Sequence, residues 1–230
     1  RRLIFCFAGL ITAFFAFYFI ADDIYNFLVR PLVQATEGQL DRRMIFTGLH
    51  EAFLTQVRVA FFSAFSVAFP IIAIQGWRFI APGLYKNEKK IFIFFVTATP
   101  VLFILGASFV YYIVVPIAWE FFLGFEQSAG KGILPVQLEP KVDEYLSLIM
   151  RLILAFGICF ELPILLILLT KIGITNSRGL KQKRKYAILV AFVIAAIVTP
   201  PDVISQVLLA IPIILLYEVS IICAGIMEKK

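Results

Sequence analysis

Long apolar stretches separated by short clusters of charge dominate this chain. Six of them bear on crossing a bilayer: Leu3 to Ala21, Thr55 to Gln75, Ile91 to Pro116, Tyr145 to Thr170, Tyr186 to Thr199 and Val203 to Gly225. About 20 apolar residues carry a helix through the roughly 30 Å hydrocarbon layer, and a helix satisfies its backbone polar groups within the segment, as lipid demands. The pattern predicts an all-α, polytopic membrane protein, a single integral-membrane domain over residues 1–230 with six transmembrane helices. No internal repeat is visible, so the inverted-repeat signature of many transporters is not supported.

The first stretch, preceded by Arg1 and Arg2, invites comparison with a secretory signal peptide. Its apolar run exceeds the roughly 7–15 residues of such a region. Asp22 and Asp23 close it without a small-residue cleavage pattern, so it is read as a retained first span, with some native sequence expected before residue 1. The last two spans are expected to be short. Ala187 to Val198 offers about twelve uninterrupted apolar residues, about 18 Å at 1.5 Å per residue. The sixth contains Gln206 and Pro212, with Glu218 near its end. Such a pair would sit in locally thinned bilayer or be shielded by partner helices, unless its boundaries lie a few residues out.

Charge orients the spans, because loops rich in Lys and Arg stay in the cytoplasm. Taking alternate loops, the side holding both termini carries fourteen Lys and Arg against two acids, Glu88 and Glu228. The other side carries seven against eleven acids. Both termini are therefore expected to be cytoplasmic, with a basic inner face suited to anionic lipid headgroups and no nucleic-acid partner. Composition agrees: 61% of residues are hydrophobic, mean hydropathy is +0.95 and 16% are charged, where a soluble domain holds roughly 45–50% apolar residues. Cys6, Cys159 and Cys223 lie singly in apolar runs, without the spacing of a disulfide framework or a zinc site.

Chemistry-bearing positions are few. His50 is the only histidine, and no metalloprotease helix, nucleophile elbow, dinucleotide loop or phosphate loop is present. An enzyme, a cofactor and a metal are not expected. In the basic-side loop running from Trp77 to Lys90, Glu88 is the only acid among Arg78, Lys86, Lys89 and Lys90. Such a carboxylate either accepts a guanidinium bidentately or simply pairs with a neighbouring lysine; Phe79, Pro82, Leu84 and Tyr85 would set an apolar surface beside it. Glu161 lies deep in the fourth span with no cation near it along the chain. It is either interhelical glue, with Gln206 as a candidate partner, or a polar point on a concave face that admits a substrate or partner helix. Thr199-Pro-Pro-Asp202 reads as a tight turn in which Asp202 caps the last helix. Pro31, Glu51 and Phe53 belong to an outer segment, Asp22 to Leu54, expected to form short interfacial helices.

Together these stretches resemble the TatC family over essentially the whole chain. The residues that carry the likeness are Phe-Ile-Ala-Pro-Gly-Leu-Tyr-Lys-Asn-Glu-Lys-Lys at 79–90, Phe-Glu-Leu-Pro at 160–163, Thr-Pro-Pro-Asp-Val-Ile-Ser-Gln at 199–206, Arg-Pro-Leu at 30–32 and Glu-Ala-Phe at 51–53. The resemblance implies a receptor of the twin-arginine protein export system in the bacterial inner membrane, or in an organellar membrane of bacterial origin. It would bind twin-arginine signal peptides of folded cargo at the cytoplasmic face and recruit single-span TatA/TatB-type subunits. Transport would be driven by the proton-motive force, and self-association is also implied. By the same likeness Glu88 reads the arginine pair with Phe79, Pro82, Leu84 and Tyr85 around it. Glu161 and Gln206 belong to the partner-docking face, and Pro31, Phe53 and Asp202 to outer-side positions needed for transport. The family's leucine-glutamate-leucine-arginine motif, with a second signal-binding carboxylate, is expected to precede residue 1. Two rivals stay open on the residues alone: a small-solute or ion permease, and a scaffold that binds partner helices but no signal peptide.

Overall fold

The computed structural model describes residues 2–36, 43–80, 89–127, 136–199 and 203–228. Ten α-helices account for nearly all of them. Helix α1 (Arg2–Phe19) turns through 76° into α2 (Ala21–Ala35). The turn falls where Asp22 and Asp23 follow the apolar run. Two carboxylates cannot continue into hydrocarbon, but they suit the positive N-terminal end of a helix that leaves it. Helix α2 buries Ala21, Leu28, Pro31 and Leu32 and leaves Asp22, Asp23 and Arg30 exposed, the amphipathic pattern of a helix lying at an interface.

Helix α3 (Glu51–Ile80) is 30 residues long. Helix α4 (Lys89–Phe109) runs through a π-helical turn, Val110–Val114, into α5 (Val115–Leu123). Pro116, in the first turn of α5, has no amide hydrogen to return to the preceding turn, and a widened turn accommodates that loss. Helix α6 (Val142–Cys159) and α7 (Leu162–Lys171) form one crossing interrupted at Phe160 and Glu161, with Pro163 at the start of α7. Gly173, at φ 80°, ends α7. The Ile174 amide donates to Leu169 O at 3.0 Å and the Gly173 amide to Thr170 O at 3.1 Å, the paired bonds of a Schellman stop. The chain continues through α8 (Ser177–Gln182), whose N-cap Asn176 accepts from the Gly179 amide at 2.6 Å, into α9 (Arg184–Val198) and α10 (Val203–Glu228).

Among the described residues four helical stretches are long and apolar enough to cross a membrane, and a fifth if the bent pair α1–α2 counts as one. Helix α9 has 15 residues, about 22 Å, short of the hydrocarbon thickness. The expectation of two short C-terminal spans is thus corrected: only α9 is short. Helix α10 has 26 residues and runs past the expected end at Gly225. The reason is its polar anchoring at the basic end, where Glu218 pairs with Arg184 at 2.6 Å and Glu228 accepts from the Ser177 amide at 2.7 Å.

The packing centre is α6, which touches α2, α3, α4 and α9 and buries Leu146, Ile149 and Phe156 completely. Helices α4 and α6 cross at glycines. A methyl group on Gly157 would meet the Phe103 ring at 2.5 Å, and one on Gly106 would meet Phe156 O at 2.7 Å. Small residues let membrane helices approach closely and gain dispersion contacts where no hydrophobic drive acts between them. Helix α1 packs along α3, and α10 is held by α7 and α9. Phe15, Phe94, Ile104, Val193, Leu215 and Ile222 are among the large apolar side chains exposed around the outside, as a lipid-facing surface requires.

Candidate functional site

The acidic end of the bundle is built as a cap. Strap residues 43–50 and 136–141 meet where the Ile45 amide donates to Pro140 O at 3.2 Å and the Val142 amide to Ile45 O at 3.0 Å. Arg43 pairs with Glu139 at 3.6 Å. Glu51, at the start of α3, accepts from the Thr47 and Gly48 amides at 2.8 and 3.1 Å, satisfying strap donors with a carboxylate favourably placed at a helix N-terminus. Arg58 pairs with Asp143 across α3 and α6, and Gln56 donates to Asp22 at 2.8 Å. Of the short interfacial helices expected between Asp22 and Leu54, the described residues hold one, α2, tied to α3 through Asp22 and to the strap by Tyr25, whose hydroxyl lies 3.9 Å from Met44 Sδ.

Pro31 is buried inside α2 and Phe53 is 57% exposed near the start of α3. Pro31 leaves the Phe27 carbonyl without its intrahelical amide donor. The Tyr111 hydroxyl donates to that carbonyl at 2.6 Å, and the two rings stack at 4.4 Å. Tyr145, from α6, donates to the Leu28 carbonyl at 3.0 Å. Neither tyrosine stood out in the sequence. A proline in a helix was the available signal, since the carbonyl four residues before it needs another donor.

Glu161 is 5% exposed at the α6–α7 break, and neither carboxylate oxygen has a hydrogen-bond partner of ordinary geometry among the described residues. The buried Thr99 of α4 is its nearby polar neighbour. Helix α7 begins at Leu162, immediately after it. A bridge from Glu161 to Gln206 is not formed. Gln206, in the first turns of α10, donates instead to Phe192 O at 3.2 Å. The physical reason is register: Gln206 lies toward the acidic end of α10, beside α9, whereas Glu161 packs at the start of α7.

Sequence expectations at Pro82, Leu84, Tyr85, Glu88 and Asp202 lie outside the described residues. Phe79 falls in the last turn of α3, its side chain outside them as well. The basic-side loop is bracketed by the end of α3 at Ile80 and the start of α4 at Lys89. No group of His, Cys, Asp and Glu suited to a metal occurs among the described residues.

The chain matches the family profile of the Sec-independent protein translocase protein (TatC) over residues 1–212. It is 46% identical over 227 residues to the Sec-independent protein translocase protein TatC of Rickettsia prowazekii (strain Madrid E), covering 99% of this chain and 89% of that protein. To the protein of the same name from Escherichia coli (strain K12) it is 36% identical over 222 residues, covering 96% and 83%. A crystal structure described as the twin arginine translocase receptor TatC in DDM superposes with a TM-score of 0.84 at 37% identity, covering 97% of this chain and 96% of that one. With the family profile, the similar sequences and the superposed structure in agreement, this chain belongs to the TatC family.

Proposed function

We propose that this chain is the receptor and core subunit of a twin-arginine protein export system in a bacterial inner membrane. The observation that carries the reading is the full-length likeness to a solved twin-arginine translocase receptor. The chain works as one integral-membrane domain with six crossings, α9 being the short fifth, and with both termini on the basic, cytoplasmic side.

Its action is binding and assembly without covalent chemistry. Glu88 accepts the paired arginines of a signal peptide, with Phe79, Pro82, Leu84 and Tyr85 forming the apolar flank of that site. Glu161 and Gln206 serve the docking of single-span TatA/TatB-type partners, and Pro31, Phe53 and Asp202 keep the outer end competent for transport. The buried, hydrogen-bond-deficient carboxylate of Glu161 supports a docking role, because such a group is costly unless a partner completes it. For Pro31, the bond between Tyr111 and Phe27 supports a role in holding α2 to the bundle. Self-association and the proton-motive force complete the transport cycle.

Photocrosslinking of a twin-arginine signal peptide to the full-length protein in membranes tests the reading. Crosslinks should form with wild type and vanish both with Glu88→Ala and with a signal carrying two lysines. Equal crosslinking in all three would reject the receptor assignment.

A further inference from the structure

Between the acidic-end cap and the α9 terminus lies a groove of about 640 Å³, lined by Trp119, Leu148 and Val198 on its apolar side and by Lys141, Glu144 and Arg151 among its charged residues. Arg151 is nine residues beyond the start of α6 at Val142, about 13.5 Å along the helix axis. That depth lies within the hydrocarbon layer for a crossing that begins at the interface. Helical side chains tilt toward their own N-terminus, and α6 starts at the acidic end, so the exposed Arg151 side chain that lines the groove can snorkel toward that interface.

The acids of the groove are already engaged, Glu139 with Arg43 at 3.6 Å and Glu144 with Lys141 at 3.5 Å. Among the described residues none forms an ion pair or a hydrogen bond with Arg151. A cation at this depth needs an anion or water. From these observations we propose that the groove is a phospholipid site, with the phosphate of a lipid in the acidic-end leaflet bound by Arg151 and its chain lying against Leu148 and Val198. The planar guanidinium takes two phosphate oxygens at once, and the lipid supplies the anion at the depth to which the side chain reaches. A lipid held here would lie against the end of the short α9 at Val198.

Native mass spectrometry of the full-length protein, titrated with phosphatidylglycerol, tests the site. Wild type should hold one lipid more tightly than the rest, and Arg151→Gln should weaken that one about tenfold, equivalent to 1.4 kcal/mol. Arg151→Lys should recover part of the loss, and Arg184→Gln at the opposite end should leave it intact. Excess inorganic phosphate should not displace the lipid; displacement would make the site one for free anions and overturn the proposal. Identical binding curves for wild type and Arg151→Gln would overturn it too, as would a photocrosslinker at Leu148 or Val198 that captures a protein helix and no lipid.

Discussion

The Tyr111 hydroxyl donates a 2.6 Å hydrogen bond to the Phe27 carbonyl, the group that Pro31 deprives of its amide donor four residues on in α2. The bond joins the π-helical turn between α4 and α5 to the interfacial helix and holds a proline where a continuous helix would not want one. Tyr111→Phe keeps the ring stacked on Phe27 and removes only the donor. We expect it to cost about 1 kcal/mol, the usual net contribution of a hydrogen bond whose acceptor is only part-buried, read as a lower unfolding temperature in detergent. In a Pro31→Ala background, where residue 31 again has an amide hydrogen, the same change should cost less. An equal cost in both backgrounds would refute the coupling.

The glycine crossing of α4 and α6 makes a second test. Gly157→Ala drives a methyl group into the Phe103 ring and Gly106→Ala drives one against the Phe156 carbonyl. Each should destabilise by about 1–3 kcal/mol, the usual cost of overpacking. Gly76→Ala, inside α3 where nothing lies within 4 Å, should melt no lower than wild type in the same assay, since alanine favours the helix. If the two core variants also melt with wild type, the helices do not pack this closely.

Glu161 separates stability from docking. Its oxygens have no hydrogen-bond partner of ordinary geometry among the described residues, so Glu161→Gln keeps the shape and replaces an ionisable buried group with a neutral one. The variant should melt no lower than wild type, while copurification of single-span partner subunits should fall. A loss of stability comparable to that of Tyr111→Phe would mean that the carboxylate holds the bundle together and has no separate docking role.

The ion pair between Arg184 and Glu218 ties α9 to α10 at the basic end, with the two side chains 50% and 37% exposed. An exposed pair of this kind contributes at most about 1 kcal/mol. Arg184→Gln should lower the melting temperature slightly in low salt and by less in high salt, where screening has already removed part of the interaction. A large, salt-insensitive loss would show a structural role beyond the charge.

Of the six spans expected, hydropathy alone made four legible, and a fifth if the bent pair α1–α2 is one crossing, because lipid admits only segments that satisfy their own backbone. The placement of charge made the two ends legible as well. The short α9 could be read from twelve apolar residues between Tyr186 and Thr199, and the family from motifs whose order and spacing run the length of the chain. Glu161 could be picked out because a lone carboxylate is conspicuous in an apolar run. What it touches could not: its neighbours are set by the approach of α4 and by the register of α10, and Gln206 went to Phe192 on α9 instead. The extra length of α10 escaped the pattern too, since Glu218 and Glu228 look like the end of a span until Arg184 and the Ser177 amide are seen to receive them. Tyr111, Tyr145 and Arg151 were ordinary members of their segments in one dimension. Hydrogen bonds and grooves join residues far apart in sequence, so local composition determined which segments cross, whereas helix packing decided which polar groups meet and which remain open.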